Sequence, residues 1–271
     1  CNEQLASKLV AMLLHQQRMQ SEGKRFSYEK EVKNIIKKLA KNQNENGGWG
    51  WYGKVSDDEE WITIHVLKAL SKARSAGYDV HLPEYSSSLT AYIQQLIAQP
   101  QYGVDLLNYL EALLEIDETM STIDYKTILQ RIDRQGCQLS SAYDRLRLIR
   151  IKQRCGVKYD LSDLNLYRRT NLLGSVYYAN STTNLAKRFP FWEDNRSMTL
   201  LAYEILAKHG AKESELSKIR SWFYEQRTSL GWGNTYVSSN VINTLFSSAE
   251  QADKKVASVI LKGAVNDRTL D

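Results

Sequence analysis

Residues 46–73 read NGGWGWYGKVSDDEEWITIHVLKALSKA, and this stretch contains the pattern that predicts the fold. A turn rich in glycine and tryptophan leads through a polar segment into a run with the apolar spacing of an amphipathic helix. The same plan recurs at residues 189–210 (FPFWEDNRSMTLLAYEILAKHG) and 229–249 (SLGWGNTYVSSNVINTLFSSA). A segment of helical period comes before each copy, so the repeating unit is a pair of helices joined through an aromatic turn. The three preceding segments are residues 29–43, 164–179 and 214–227.

Two further units, at residues 85–116 and 124–153, keep the order helix, glycine, helix but lack the tryptophan. With an opening helix in residues 2–17 and a last one in residues 253–265, the pattern gives about six hairpins. No alternating run of Val, Ile or Thr predicts a strand. One set of helices is rich in small residues, which lets them pack closely as an inner ring. We therefore predict an all-α fold, an α/α toroid with inner and outer rings, as a single domain over residues 1–271.

The ends of the predicted helices fit this repeat. In the segment SDDEEW, Ser56 and Asp57 are both good N-cap residues, and the carboxylates after them face the positive end of the helix dipole. Gly77 and Gly210 follow two of the predicted helices, where glycine is the usual left-handed C-terminal cap.

Composition excludes several classes of protein. The 271 residues are 42% hydrophobic and 25% charged, which is ordinary for a globular chain. No apolar run approaches the roughly 18 residues that span a bilayer, so we expect a domain that does not cross a membrane. The net charge of +5 comes from lysines and arginines spread among acidic residues. Without a clustered basic surface we expect no nucleic-acid partner.

The cysteines do not predict a disulfide. A helix between Cys137 and Cys155 would hold them roughly 25 Å apart, beyond the reach of a disulfide bond. We expect two buried thiols there, which leaves Cys1 without a partner in the chain.

The histidines do not predict a metal site. None of them has the spacing of a metal-binding pair, so we expect neither a metal nor another cofactor. His65 falls in the middle of a predicted helix, where a hydrogen-bonded core histidine is the favoured interpretation. The other three are His15, His81 and His209.

Acidic clusters leave one enzymatic alternative open. Toroids of this type include glycan- and isoprenoid-processing enzymes that use paired carboxylates, and fold alone does not decide function. The favoured interpretation is that these acids complement helix dipoles, because both clusters follow analogous aromatic turns. The isoprenoid motif Asp-x-Asp-Asp does not occur in SDDEE. The residues are Asp57, Asp58, Glu59, Glu60, Glu193 and Asp194.

The chain begins CNEQ, and this spacing allows a specific reaction. The side chain of Gln4 can turn back so that its carbonyl carbon meets the sulfur of Cys1, and loss of ammonia then gives an internal thioester. Thiolate is a good leaving group, so an amine or hydroxyl could take the Gln4 acyl group and release Cys1. Glu3 is the acidic member of the motif and could position the loop or the nucleophile.

The CNEQ motif together with the Gly/Trp helical repeats resembles the thioester domain of the α2-macroglobulin and complement family, particularly its bacterial members. The resemblance covers essentially the whole chain and implies a six-hairpin toroid within a much larger multidomain protein. It also implies a single-turnover endopeptidase inhibitor, not an enzyme, that captures attacking proteases through their lysine amines. The implied partners are these proteases and other macroglobulin-type domains of the same chain. The implied location is periplasmic or extracellular (secreted), with membrane anchoring through the parent protein as an option.

Two departures from the family pattern affect the prediction. Asn2 occupies a position that is glycine in the vertebrate motif. Residues 99–113 contain no histidine, whereas members that prefer hydroxyl nucleophiles have one in this region. We therefore expect direct attack by amines. Two other interpretations of the chain remain open, namely a lipid-anchored Cys1 and a toroid whose thioester has decayed so that it serves only as a scaffold.

Overall fold

The computed structural model describes residues 1–45, 47–54, 59–80, 103–117, 120–121, 123–135, 139, 141–180, 194–229 and 231–252. This part of the chain is mostly helical, with one small two-stranded sheet. Its helices and strands are α1 (Asn2–Ser21), α2 (Glu29–Lys41), α3 (Glu60–Ser75), α4 (Gly103–Ile116), α5 (Tyr125–Gln135), α6 (Ala142–Arg154), α7 (Ser162–Tyr167), β1 (Arg168–Thr170), β2 (Val176–Tyr178), α8 (Asn195–His209), α9 (Glu213–Glu225) and α10 (Thr235–Ala252).

The chain divides into two compact units, Cys1–Leu166 and Tyr167–Asp271. In the first unit, α1 packs against both α2 and α3, α3 packs against α4, and α4 packs against α6. Apolar side chains from these helices are buried and form the core of the unit, among them Leu9, Leu14, Leu39, Ile62, Val66, Leu107, Leu110 and Leu146. Their removal from water is the main source of stability for such a helical layer.

Trp49 connects three parts of the first unit. Its side chain is fully buried, and its indole Nε1 donates to the carbonyl of Leu39 near the end of α2 at 2.8 Å. Its backbone N–H donates to the hydroxyl of Thr63 in α3 at 2.9 Å, and that hydroxyl lies 3.2 Å from the carbonyl of Trp49. The carbonyl also accepts from the N–H of Glu59 at 3.0 Å. The glycine- and tryptophan-rich turn is thus fixed to the end of one helix and the start of the next.

The second unit contains the same pair of hydrogen bonds at Trp232, one from the indole and one from the backbone N–H. Trp232 Nε1 donates to the carbonyl of Phe223 in α9 at 2.7 Å, and the N–H of Trp232 donates to the hydroxyl of Ser238 in α10 at 3.0 Å. Gly231 has a φ of 85°, and a Cβ there would lie 2.9 Å from the Ser238 hydroxyl oxygen. Only glycine fits this turn. The sequence repeat therefore corresponds to a repeated set of hydrogen bonds between turn and helices.

A β-hairpin occupies residues for which the sequence predicted a helix. β1 and β2 pair antiparallel, with Thr170 opposite Val176, so the prediction of a helix over residues 164–179 and of a fold without strands is wrong. The physical reason is the turn, in which the Asn171 side chain accepts hydrogen bonds from the N–H groups of Leu173 and Ser175. Such local bonds from asparagine compete with helix formation.

The hairpin is connected to α8 by a hydrogen bond from a backbone N–H to a hydroxyl. The N–H of Tyr178 in β2 donates to the hydroxyl of Thr199 in α8 at 2.9 Å. This contact matches the bond from a backbone N–H to a hydroxyl at Trp49 and at Trp232, although the donor here is a strand residue. The helix in the copy at residues 189–210 therefore receives the same type of hydrogen bond, while the segment before it differs in secondary structure.

The other predicted helices agree with the structure where it describes them. The predicted segments at 29–43, 124–153 and 214–227 correspond to α2, to α5 with α6, and to α9. Residues 85–102 and 253–265 lie outside the described part of the chain. The complete two-ring toroid and the single domain remain predictions.

The helix ends give one correction and two confirmations. The N-cap of α3 is Glu59, not Ser56 or Asp57, which lie outside the described residues. α3 begins at Glu60, because the hydrogen bonds of Glu59 and Thr63 to Trp49 fix this point of the chain. Gly210 caps α8 in the left-handed region with a φ of 87°, and Gly77 follows the end of α3 with a φ of 89°, as predicted.

A buried ionic cluster lies between α4 and α6 in the first unit. Glu111 accepts from Arg147 at 2.7 Å and also from Arg150, and Arg147 in turn pairs with Asp144 at 2.9 Å. Burial alone would raise the pKa of Glu111, but the charges of Arg147 and Arg150 outweigh it and hold that pKa well below its usual range. Breaking such a cluster by removing one partner is costly, since a buried charge is left unpaired.

Replacing Trp49 with phenylalanine tests how much the hydrogen bond from its indole contributes to stability. In Trp49→Phe the Leu39 carbonyl loses the indole donor and keeps the N–H of Asn42 at 3.1 Å, so we expect the free energy of unfolding to fall by about 0.5–1.5 kcal/mol from that bond alone. Urea unfolding followed by circular dichroism measures this change. Trp51→Phe is the matched control, because Trp51 is 43% exposed on the same loop, and it should change stability by less than about 0.5 kcal/mol. Equal losses in the two variants would contradict the role given to Trp49.

Candidate functional site

The CNEQ motif forms the first turn of α1. Cys1 is the N-cap, and its sulfur accepts from the backbone N–H of Gln4 at 3.4 Å. The Cys1 Sγ also lies 3.9 Å from Oε2 of Glu3, to which it donates. Cys1 is a free, half-buried cysteine, Glu3 is buried and Gln4 is exposed. The sequence prediction that these residues head the first helix is confirmed, whereas the thioester itself stays a prediction.

Asn2 is fully buried and holds the motif to the loop between α2 and α3. Its side-chain nitrogen donates to the carbonyl of Gly50 at 2.9 Å, and its side-chain oxygen accepts from the amide of Asn42 at 2.8 Å. Its backbone N–H donates to the carbonyl of Trp51 at 2.9 Å. A glycine at this position could make only the backbone contact, so the two side-chain bonds depend on asparagine.

Aromatic rings lie on the loop that Asn2 contacts. Trp51 is 43% exposed and packs edge to face on Trp61 of α3, with ring centroids 5.3 Å apart. Tyr52, the next residue, is 68% exposed. The loop therefore presents aromatic surface next to the start of α1, while its backbone is used to fix the motif.

A buried histidine on α3 contacts the motif through a serine. Ser7, one turn after Glu3 in α1, donates to Oε1 of Glu3 at 2.9 Å, and its hydroxyl lies 3.0 Å from Nε2 of His65. Burial, with a smaller effect from the charge of Lys68, lowers the pKa of His65 to about 3. The expectation of a hydrogen-bonded core histidine is confirmed. The connection from His65 through Ser7 to Glu3 was not predicted from the sequence, although the i, i+4 spacing of Glu3 and Ser7 places their side chains on the same face of α1.

The acidic residues of the enzymatic alternative have capping and packing roles where they are described. Glu59 occupies the N-cap position of α3 without a capping bond from its side chain, and Glu60 in the first turn accepts from the side chain of Asn108. Asp194 caps α8 by accepting from the N–H of Ser197 at 2.8 Å. The remaining members, Asp57, Asp58 and Glu193, lie outside the described residues.

The other cysteines and histidines are not gathered into a site in the described ranges. Cys155 is not part of a disulfide and is half-buried, slightly more exposed than predicted, and Cys137 lies outside the described part. Nowhere in that part do three His, Cys, Asp or Glu side chains lie close enough to hold a metal ion. No described helix is long and apolar enough to cross a membrane.

Removing the Asn2 side chain should loosen the motif. In Asn2→Ala the Gly50 carbonyl and the Asn42 amide lose their partners, so we expect a loss of about 1–3 kcal/mol in unfolding free energy. Gln4→Ala, on the same helical turn but exposed, should stay within about 0.5 kcal/mol of the parent. Chemical unfolding measures both. A neutral Asn2→Ala variant would mean that the loop is held by other contacts.

Acid should destabilise the protein through His65. The folded-state pKa of about 3 is below the ordinary value of 6.5, so the unfolded state binds the proton more readily. The stabilising contribution is complete above pH 6.5 and is lost as the pH falls from 6.5 towards 3. Between pH 8 and pH 5 the wild type should therefore lose about 2 kcal/mol relative to His65→Gln, whose side chain does not titrate. Unfolding free energies of both proteins across this range provide the test, and parallel pH curves would contradict it.

Comparisons with known proteins give a match in structure. No family model and no curated protein matches the chain. Escherichia coli alpha-2-macroglobulin in its native conformation matches with a TM-score of 0.63 and 17% identity, over 93% of this chain and 16% of that one. Salmonella alpha-2-macroglobulin reacted with methylamine matches with a TM-score of 0.61 and 18% identity, over 94% of this chain and 16% of that one. E. coli alpha-2-macroglobulin activated by porcine elastase gives a TM-score of 0.60 and 18% identity, over 91% and 22%.

These likenesses support the resemblance inferred from the CNEQ motif and the Gly/Trp repeats. The present chain spans about a sixth to a fifth of the length of those macroglobulin chains. At 17–18% identity the comparison extends to the fold and not to the activity. The chain therefore shares its fold with a part of the bacterial alpha-2-macroglobulins.

Proposed function

We propose that this chain is the thioester domain of a bacterial alpha-2-macroglobulin-like protein and that it traps proteases covalently. The observation that carries the proposal is the CNEQ motif at the head of α1 in a fold shared with bacterial alpha-2-macroglobulins. One of those macroglobulins has been reacted with methylamine, the small amine that a thioester would accept. The motif and the fold are independent observations, and both favour the same reaction.

The geometry of α1 favours reaction between Cys1 and Gln4. Cys1 is the N-cap of α1, and its sulfur lies 3.4 Å from the backbone nitrogen of Gln4. The sulfur is therefore next to the residue whose side-chain carbonyl it would attack. In ring closure the Sγ–C bond forms, the C–N bond of the Gln4 amide breaks, and ammonia leaves with the thiol proton. In capture, an amine forms a new amide with the Gln4 carbonyl carbon, the Sγ–C bond breaks, and a proton from the amine ends on Cys1.

Amines of proteases are the proposed acceptors. The region of α4 contains no histidine that could form an acyl-imidazole intermediate, so the amine attacks the thioester directly. Surface lysines of an attacking protease provide such amines. The reaction consumes the thioester, so the module acts once as an endopeptidase inhibitor and does not turn over as an enzyme.

The remaining features of the proposal concern the parent protein. Because the chain spans a small part of the macroglobulins that it matches, we place it within a larger multidomain protein. The proposed neighbours are macroglobulin-type domains of the same chain, and the proposed location is periplasmic or extracellular. The enzymatic alternative is not favoured, because Glu60 accepts from Asn108 and Asp194 caps α8, so both carboxylates have structural partners.

Treatment of the longer protein with methylamine tests the proposal. We expect an N-methylamide on the peptide that contains Gln4, with one Cys1 thiol released for each methylamine taken up. Intact-mass and peptide mass spectrometry with thiol titration measure both quantities.

Cys1→Ser is the matched control for this experiment. Its hydroxyl is a poorer leaving group, so we expect neither a methylamide nor a covalent complex with a protease mixed into the sample. Absence of an adduct on Gln4 in a freshly purified wild-type protein, or equal adduct in Cys1→Ser, would overturn the proposed function.

A further inference from the structure

The carboxylate of Glu3 is held by contacts to both of its oxygens. Its Oε1 accepts from Ser7 at 2.9 Å, and its Oε2 accepts from the Cys1 sulfur at 3.9 Å. Ser7 is in turn 3.0 Å from Nε2 of His65 on the neighbouring helix α3. Glu3, Ser7 and His65 are 6%, 5% and 2% exposed. A buried chain of side chains thus joins α3 to the sulfur at the start of α1.

The hydrogen bonds in this chain have a definite direction. A serine hydroxyl has a single proton, and in this structure it is donated to the Glu3 carboxylate. The Ser7 oxygen therefore accepts from His65, which must carry its proton on Nε2. His65 is neutral at ordinary pH because burial lowers its pKa to about 3, so it has one N–H to give and no charge. Each donor points towards Glu3.

This arrangement limits the positions available to the carboxylate. A glutamate side chain has three rotatable bonds, and a free one would turn towards water. With Oε1 fixed by Ser7, Oε2 is the oxygen directed at Cys1. Proton transfer needs an approach of about 2.6–3.2 Å, and such contacts are often longer in the resting state. The 3.9 Å between Oε2 and the sulfur must therefore shorten by less than about 1.5 Å for the transfer.

We infer that Ser7 and His65 are positioning residues that hold the Glu3 carboxylate against the sulfur of Cys1, where Glu3 takes and returns its proton. The inference rests on the proposed function and names the acid–base group of that reaction. In thioester formation, Oε2 of Glu3 takes the thiol proton, the thiolate attacks the Gln4 carbonyl carbon, and Glu3 gives the proton to the departing ammonia. In capture, Glu3 takes a proton from the attacking amine and gives it to the departing sulfur.

The rate of methylamine capture in the longer protein provides the main test. Ser7→Ala and His65→Leu remove a donor from the chain, and we expect each to slow methylamine incorporation by about tenfold, the lower end of what a well-placed acid–base group contributes. Ser7→Thr keeps the hydroxyl and His65→Gln keeps an N–H at the position of Nε2, so both should restore the rate to within about threefold. A purely structural role would not separate the donor-keeping from the donor-lacking variants.

Matched controls distinguish unfolding of a variant from displacement of its Glu3 carboxylate. Ser21→Ala removes an exposed hydroxyl at the end of the same helix that donates to the backbone carbonyl of Arg18, and it should leave the rate unchanged. Alkylation of the half-buried Cys155 reports on the first unit, so unchanged Cys155 labelling shows that the variant is folded. Equal rates in Ser7→Ala, Ser7→Thr and wild type would overturn the inference.

Alkylation of Cys1 separates failure of the inference from failure of the proposed function. If wild type takes up no methylamine, the proposed function fails, and the position of Glu3 is judged by the rate at which iodoacetamide labels Cys1 at neutral pH. A carboxylate held beside a thiol disfavours the reactive thiolate. Ser7→Ala and His65→Leu should then label at least about threefold faster, as should Glu3→Gln, while Ser7→Thr and His65→Gln label like wild type. Uniform labelling rates would overturn the inference in that case too.

Discussion

The hydrogen bond from the Trp49 indole to the Leu39 carbonyl is the contact on which the first unit depends. It ties the end of α2 to a fully buried ring, and the backbone of the same residue fixes the start of α3 through Thr63 and Glu59. The loop that follows is then set in position, and its carbonyls at Gly50 and Trp51 are the acceptors for Asn2. The placement of the CNEQ motif is thus a consequence of how a tryptophan is buried some fifty residues later.

Much of the fold could be read from the sequence because the signals were local. Helical periodicity and the Gly/Trp turns identified α1, α2, α3, α9 and α10, and glycine identified the ends at Gly77 and Gly210. The β-hairpin was missed because its apolar spacing near Tyr167 also fits a helix, and only the side-chain bonds of Asn171 within the turn decide between them. The N-cap of α3 was missed because it is set by contacts with Trp49, which are distant in sequence.

The candidate site shows the same division. Cys1, Glu3 and Gln4 were found as a motif, since their relation is contained in four residues. The roles of Asn2 and Ser7 depend on Asn42, Gly50 and His65, which other segments bring to α1. The sequence identified His65 as a core histidine, but its partner could come only from helix packing. The motif was therefore visible in the sequence, whereas its surroundings came from the structure.

Two opposing electrostatic effects act on the sulfur of Cys1. As the N-cap it lies at the positive end of α1, which favours a thiolate, and it also accepts from the Gln4 N–H. The Glu3 carboxylate on its other side favours the protonated thiol. These two neighbours act in opposite directions on the proton of a sulfur that, in the proposed reaction, is first a nucleophile and then a leaving group.

The network around Asn2 also affects how readily the two ends of the motif meet. Fixing the backbone of a flexible residue costs about 1–2 kcal/mol of conformational entropy. In a free tetrapeptide this cost would arise each time Cys1 and Gln4 approached one another. Here it is met once, on folding, because Asn2 bonds to residues 40 and 48 positions away. The backbone of the motif is thereby ordered before the proposed reaction, which would lower the entropy that ring closure costs. The loop between α2 and α3 would lower this cost without contributing an atom to the reaction.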